Sequence, residues 1–192
     1  EVVAFTIHKE FIKDKTLFEK PIIPFEEIEN NYSPNEVSIL ICIGFSKMNK
    51  KREKIFLEVK NKNYKLENFI HPSNHVWNEL EIGENCIILE NNVIRPHVRI
   101  GNNVIIENNN VISHHCIIKD NCYITSQAII AGHVTIESNC FLGINCTIRN
   151  RIKIAKESLI GAGAVILKNT KEKEVYSVNT VMLSRKSDEL DF

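Results

Sequence analysis

The chain has 192 residues, 43% of them hydrophobic, and its 24 Lys and Arg balance 24 Asp and Glu. That length suits one large domain or two small ones, and the even charge lacks the basic excess that marks nucleic-acid binding. No apolar run reaches the length of a membrane span and no secretory leader pattern is visible; neither nucleic acid nor membrane is an expected partner, and the cysteines, which read as reduced, make the cytoplasm the expected setting.

In chain order, Val2 to His8 (VVAFTIH) reads as a buried strand. Lys20 to Phe25 is a second extended piece stiffened by Pro21 and Pro24, and Phe25 to Ile28 opens a short helix. Ser38 to Gly44 (SILICIG) is nearly all apolar, the pattern of a central parallel strand. Met48 to Asn61 then reads as a helix, with Met48, Ile55, Phe56 and Val59 on its apolar stripe. Its other face carries Lys50, Lys51, Arg52, Lys54 and Lys60 and reads as solvated. Strand, turn, helix, then Tyr64 to Ile70 is an α/β pattern, placing a small α/β domain over residues 1–72. His71-Pro72-Ser73 marks the join to a second domain, whose open end Trp77 and Leu80 are expected to plug.

From Ile82 to Ile166 an aliphatic residue recurs at every sixth position, fifteen times in phase, fourteen of them isoleucine. Neither a helix nor an alternating strand has this period; a coil of short strands joined by turns does. β-Branched isoleucine suits strand geometry, and each buried copy contributes roughly 1.5–3 kcal/mol. Cys86, Cys116, Cys122, Cys140 and Cys146 share one position of the period and read as small, reduced core side chains. Cys122 and Cys140 come within disulfide reach on neighbouring coils, but their side chains run parallel. The repeat domain spans 73–176, and residues 177–192 read as a polar extension.

The hexads Ile82-Gly83, Ile100-Gly101, Leu142-Gly143 and Ile160-Gly161 resemble those of the left-handed β-helix, hexapeptide-repeat acyltransferases. The resemblance implies three hexads per triangular coil, hence a left-handed parallel β-helix of about five coils behind the α/β subdomain. Residues 1–72 are similar to the small Rossmann-like domain of the nucleotide-sugar acyltransferases, a group that includes sialic acid O-acetyltransferases and amino-dideoxy-sugar N-acetyltransferases. In that likeness Ile43-Gly44-Phe45-Ser46, followed by Arg52, occupies a strand-end loop near the sugar nucleotide, which makes Gly44 and Ser46 the expected substrate contacts. The relatives' opening strand and Gly-rich turn have no counterpart here, so either residues precede Glu1 or the nucleotide site is reduced.

Residues 18 apart stack in columns if three hexads make a coil. One column then holds His97, His115, His133 and Arg151; its neighbour holds Pro96, His114, Gly132 and Asn150. A metal ion needs ligands that converge at about 2 Å, which a parallel stack does not provide, so the column reads as a polar, subunit-facing surface and no metal is expected. Val111 to Ile117 (VISHHCI) resembles the segment whose first histidine is the family's proposed general base. That assigns the base to His114, with His115 beside it where relatives often carry a carboxylate. Imidazole titrates near neutral pH and suits the removal of a proton from an attacking amine or hydroxyl. The resemblance further implies acetyl-CoA as acyl donor, held largely by main-chain groups at Ala131, Gly132, Gly143, Ile144, Gly161 and Ala162, with Lys168 near its phosphates. An N–H near Gly132 is the expected donor to the thioester oxygen.

No loop interrupts the period, so a monomer has no cleft of its own, and a homotrimer is expected, as in the family. The reading is acetyl transfer from coenzyme A to a nucleotide-linked amino sugar, a 4-amino-4,6-dideoxyhexose, for a surface glycan. The alternatives are O-acetylation of sialic acid or a related sugar and, from another class, a metal-dependent hydratase or a non-catalytic scaffold.

Overall fold

The computed structural model describes residues 1–78 and 80–178; the expected extension beyond Val178 lies outside the described residues. The period-six stretch forms a triangular parallel coil with three sheets as faces. The first face stacks Phe69–Ile70, Ile87–Ile88, Ile105–Ile106, Tyr123–Ile124, Phe141–Leu142, Leu159–Ile160 and Val175–Tyr176. The second stacks His75–Val76, Val93–Ile94, Val111–Ile112, Ile129–Ile130, Thr147–Ile148 and Val165–Ile166. The third stacks Glu81–Ile82, Arg99–Ile100, Ile117–Ile118, Thr135–Ile136 and Lys153–Ile154. Partners such as Val93 and Val111, Arg99 and Ile117, and Ile105 and Tyr123 lie 18 residues apart.

Each strand is two residues long because the chain must bend every six. At every sixth residue from Asn85 to Gly163 the backbone turns left-handed, with φ between 56° and 67°. That conformation disfavours most L-residues by roughly 1–2 kcal/mol, and Asn tolerates it best after Gly. Asn85, Asn91, Asn103, Asn109, Asn121, Asn139 and Asn145 accordingly hold half of these seats. On the corner between the third and first faces the asparagines also bond to one another. Asn85 Nδ2 donates to Asn103 Oδ1 at 2.8 Å, and Asn103 Nδ2 to Asn121 Oδ1 at 2.7 Å.

The interior is the isoleucine column, with Ile88, Ile106, Ile112, Ile124, Ile130, Ile136 and Ile148 fully buried. The five in-phase cysteines are buried free thiols, and Cys122 and Cys140 are not bridged. Cys86, Cys116, Cys122 and Cys140 each donate to a carbonyl fifteen residues on, at 3.0–3.1 Å. Burial pushes the Cys86 and Cys116 thiols up to about 11, so they stay protonated and unreactive.

The coil begins earlier than the sequence period suggested. Phe69–Ile70 already pairs with Ile87–Ile88, and His75–Val76 with Val93–Ile94, so the repeat runs through the boundary drawn at residues 72 and 73. Ile70 and Val76 extend the six-residue phase of Ile82 backwards by two steps. Trp77 does not plug the end: it is 58% exposed, whereas Val76, Leu80 and Ile82 pack against the core there.

In front of the coil, β1 (Phe5–Ile7) pairs in parallel with β3 (Lys20–Pro24), and β2 (Thr16–Leu17) lies antiparallel to β3. β1 is partly exposed rather than the buried strand expected, because it is an edge strand of its three-stranded sheet. After the short helix α1 (Ile28–Asn31) come β4 (Ser38–Ile39), α2 (Lys50–Asn61) and β5 (Lys65–Leu66), a single βαβ unit whose two strands pair in parallel. Phe25, Ile28, Ile39, Ile41, Val59, Tyr64 and Leu66 form its core. The apolar run Ser38 to Gly44 is thus strand only at its start, with Ile39 and Ile41 inward and Leu40 and Cys42 outward.

Helix α2 starts two residues later than expected, because Lys47, Met48 and Asn49 all have φ near +50° to +64°. Its basic face is not wholly solvated either. Arg52 is fully buried against the third–first corner, where Nη2 donates to Asn103 O at 2.8 Å and Cys122 O at 3.1 Å. Burial draws its guanidinium down to about 10, which still leaves it charged at neutral pH. Asn49 Nδ2 donates to Asn121 O and Cys140 O at 2.7 and 3.1 Å, Glu53 accepts from Asn139, and Lys50 and Lys60 pair with Glu157 and Glu84. A pattern of charges spaced along a helix carries no sign of which one a neighbouring domain will cover.

The inward phase has a direct test. Ile124→Val should lower the unfolding free energy by about 0.5–1.5 kcal/mol in urea titrations, whereas Ile124→Asp buries an unpaired carboxylate and should yield no soluble protein.

Candidate active site

The corner between the second and third faces carries the histidines. Val111–Ile112 delivers the chain to it and Ile117–Ile118 takes it away. Between them Ser113 N is bonded to Ile130 O, His115 N to Pro96 O, and His133 N to His114 O, at 2.9, 3.1 and 3.0 Å. His97, His115, His133 and Arg151 occupy the left-handed seats here, with φ of 60°, 59°, 60° and 59°. Elsewhere asparagine fills most such seats, so the imidazoles are not what the backbone alone would favour.

The rings of His97, His115 and His133 form a column, as the 18-residue period implied, with centroids 4.7 and 4.8 Å apart; His115 and His133 stack at 20°, and His97 is tilted by 46° to His115. His114 stands edge-on to this stack, at 87° to His115 and 89° to His133. Its Nδ1 lies 3.0 Å from His115 Nδ1. One of the two nitrogens must carry the hydrogen and the other accept it. If His114 is to take a proton at Nε2, its own Nδ1 bears that hydrogen and His115 accepts. His115 is held below the usual imidazole range, first by desolvation and then by its neighbours His97, His133 and His114. That favours the neutral, accepting form. Among the described residues no carboxylate lies within 4.0 Å of any of these four rings.

Gly132 lies beneath the His114 ring. A Cβ there would stand 2.8 Å from His114 Cε1 and Nε2, so only glycine leaves the imidazole its seat. Gly132 is buried by this packing, and its nearest neighbour is the ring itself. Gly132, near which an oxyanion donor was expected, thus makes room for the imidazole, and its N–H has no acceptor among the described residues.

The remaining expected contacts fall on other parts of the prism. Gly143, Ile144, Gly161 and Ala162 sit on the corner between the first and second faces, separated from His114 by the second face. A Cβ on Gly143 would meet Ala162 N at 2.7 Å, and one on Gly161 would meet Tyr176 O at 3.0 Å, so both glycines serve coil-to-coil packing. The amides of Ala131, Gly143 and Gly161 are already bonded to Ile148 O, Ile160 O and Tyr176 O. Those of Ile144 and Ala162 have no acceptor among the described residues, and both residues are exposed. Exposed Lys168 belongs to the column of His114 and Gly132, two coils beyond Gly132. Gly44 and Ser46 are exposed in the loop before α2. Phe45 between them packs on Tyr123 and Phe141 of the first face, with centroids 5.1 and 4.9 Å away. The histidine corner is the vertex opposite that face. One chain brings His114, His115, Ala131 and Gly132 together, but not the rest.

Residues 97–132 and 133–168 match the family model of the bacterial transferase hexapeptide (six repeats). No curated protein matches the chain. Among solved structures, the acetyltransferase domain of PglB from Neisseria gonorrhoeae is 21% identical, with a TM-score of 0.79 over 90% of this chain and 82% of that one. The same domain in complex with acetyl coenzyme A gives 21% identity and a TM-score of 0.77, over 86% of this chain and 79% of that one. A histidine-to-alanine variant of the GDP-perosamine N-acetyl transferase from Caulobacter crescentus, in complex with CoA and GDP-perosamine, is 21% identical with a TM-score of 0.76, over 81% and 73%. Residues 97–168 thus carry the bacterial transferase hexapeptide repeat, and the chain shares the left-handed β-helix fold of these acetyltransferase structures, front α/β region included.

Gly132→Ala tests the seat beneath the imidazole. The clash is with an exposed side chain that can swing away, so the melting temperature should change by only a few degrees. The 3.0 Å contact between His114 and His115 should be lost, which imidazole ¹⁵N shifts would report.

Proposed function

We propose that this protein is a cytoplasmic acetyl-CoA-dependent N-acetyltransferase acting on a nucleotide-linked amino sugar, a 4-amino-4,6-dideoxyhexose. The observation that carries the reading is His114, seated on Gly132 with its Nδ1 tied to His115 and its other edge exposed. The sugar amine attacks the thioester carbonyl; a C–N bond forms and the C–S bond breaks. His114 takes the amine proton at Nε2 and passes it to the departing coenzyme thiolate. His115 is a positioning residue that holds the Nδ1–H tautomer. Ile144 and Ala162, with their free amides, suit the pantetheine arm, and Lys168 the coenzyme phosphates. Gly44 and Ser46 face the nucleotide sugar.

N-acetylation is favoured over O-acetylation by the absence of a nearby carboxylate among the described residues. A neutral imidazole partner activates His114 less than a carboxylate would, and an amine is the nucleophile that asks less of its base. The spread of the expected contacts over three parts of the prism supports a homotrimer, in which the histidine corner of one chain meets the surfaces of the next. A monomer that is fully active in sedimentation at micromolar concentration would refute this.

Incubation with acetyl-CoA and a panel of dTDP-, UDP- and GDP-linked amino sugars, read by coenzyme thiol release, tests the activity. General-base catalysis is worth about 10²–10⁴-fold, so His114→Asn should lower kcat by that order with little change in KM for acetyl-CoA. His115→Asn should have a smaller effect, because an amide oxygen can still accept from Nδ1. An unchanged kcat for His114→Asn at neutral pH would remove the protein base from the mechanism.

A further inference from the structure

We propose that His114, His115 and His133 form a binding site for one transition-metal ion of the kind that prefers imidazole, with zinc(II) as the reference and cobalt(II) and nickel(II) as congeners. A vertical stack of histidines would make a poor site, since parallel rings point their nitrogens the same way. The cluster seen here is not that stack. It takes His114 from one column and His115 and His133 from the next, and the first ring is nearly perpendicular to the other two.

One nitrogen from each of the three rings lies within 4.8 Å of the others, and the closest pair is 3.0 Å apart. Tetrahedral zinc with bonds of about 2.0–2.1 Å sets its nitrogens roughly 3.3–3.4 Å apart. The His114–His115 pair already has almost that spacing, and His133 must close by no more than about 1.4 Å. All three rings are exposed and can turn by that amount. Their backbones are fixed meanwhile by the bonds of His115 N to Pro96 O and His133 N to His114 O. Three imidazoles leave the fourth coordination position to solvent or to a group from another molecule, and this donor set suits zinc, nickel and cobalt rather than magnesium or calcium.

Coordination uses the lone pair of His114 that would otherwise take a proton, or else breaks its Nδ1 contact with His115. Where His114 is the base, which rests on the function proposed above, bound metal therefore inhibits acetyl transfer reversibly.

Chelator-treated protein without a histidine tag should be titrated with zinc chloride by calorimetry, and with cobalt(II) by visible absorption. One ion per chain and the absorption of tetrahedral cobalt are expected. His133→Asn should weaken zinc affinity by about tenfold or more. Asparagine is the chosen replacement because it occupies the same left-handed seat at Asn103 and Asn121, so the coil should persist. Zinc should inhibit the native chain, relative to its own metal-free rate, at concentrations that leave His133→Asn at its own rate. Absence of stoichiometric binding, or equal zinc affinity in native, His115→Asn and His133→Asn chains, would overturn the site. The isotherms decide this even if the chain transfers no acetyl group, so failure of the functional reading and failure of the metal site remain distinguishable.

Discussion

The left-handed residue at each corner is the constraint on which the rest of the structure depends. A chain that must reverse its local twist every six residues can form only two-residue strands, and those strands must then find partners one coil away. The isoleucine phase results, because one residue of each strand faces inward at a fixed step. The penalty for L-residues at positive φ is offset by isoleucine burial and by backbone bonds at near 2.9 Å between coils. Asparagine meets the constraint most cheaply on two corners. On the third, three histidines and an arginine take its place, which sets that corner apart from the other two.

The corners also decide where the front domain sits. The asparagine ladder at the third–first corner presents carbonyls and amides that Ile41, Asn49, Arg52 and Glu53 meet directly. Phe45 extends that cover onto Tyr123 and Phe141 of the first face. The third face carries Glu81, Arg99 and Lys153 outward, and the second carries Val111, Ile129 and Val165. One face is thus covered, one charged and one apolar. The apolar face joins the histidine corner to the corner of Ile144 and Ala162.

The coil was legible in the sequence because its signal is repeated, one in-phase aliphatic residue per strand over fifteen strands, fourteen of them isoleucine. The stacking of His97, His115 and His133, and of His114 over Gly132, followed from the 18-residue step. The steric role of Gly132 and the perpendicular setting of His114 did not, because side-chain torsions leave no periodic trace. Arg52 was read as one more cation on a solvated helix; its burial depends on a surface 51 and 70 residues away in the chain. Of the two residues expected to plug the open end, Leu80 sits against the core with Val76 and Ile82, while Trp77 is exposed. The front α/β region consists of a lone βαβ unit beside a separate three-stranded sheet.

The buried contacts of α2 have a consequence for the order in which the molecule assembles. Asn49 and Arg52 reach partners 51 to 91 residues further along the chain, and Lys50 reaches Glu157 across 107. These partners are main-chain groups and corner side chains that exist in the right place only once several coils have formed. The turn at Lys47, Met48 and Asn49 is disfavoured in itself, and the Asn49 side chain spends its amide on the coil rather than on capping its own helix. Docking of α2 therefore needs several coils already in place, whereas the front region's own core of Phe25, Ile28, Ile39, Ile41, Val59, Tyr64 and Leu66 does not, and the closure of such long loops should make this docking slow.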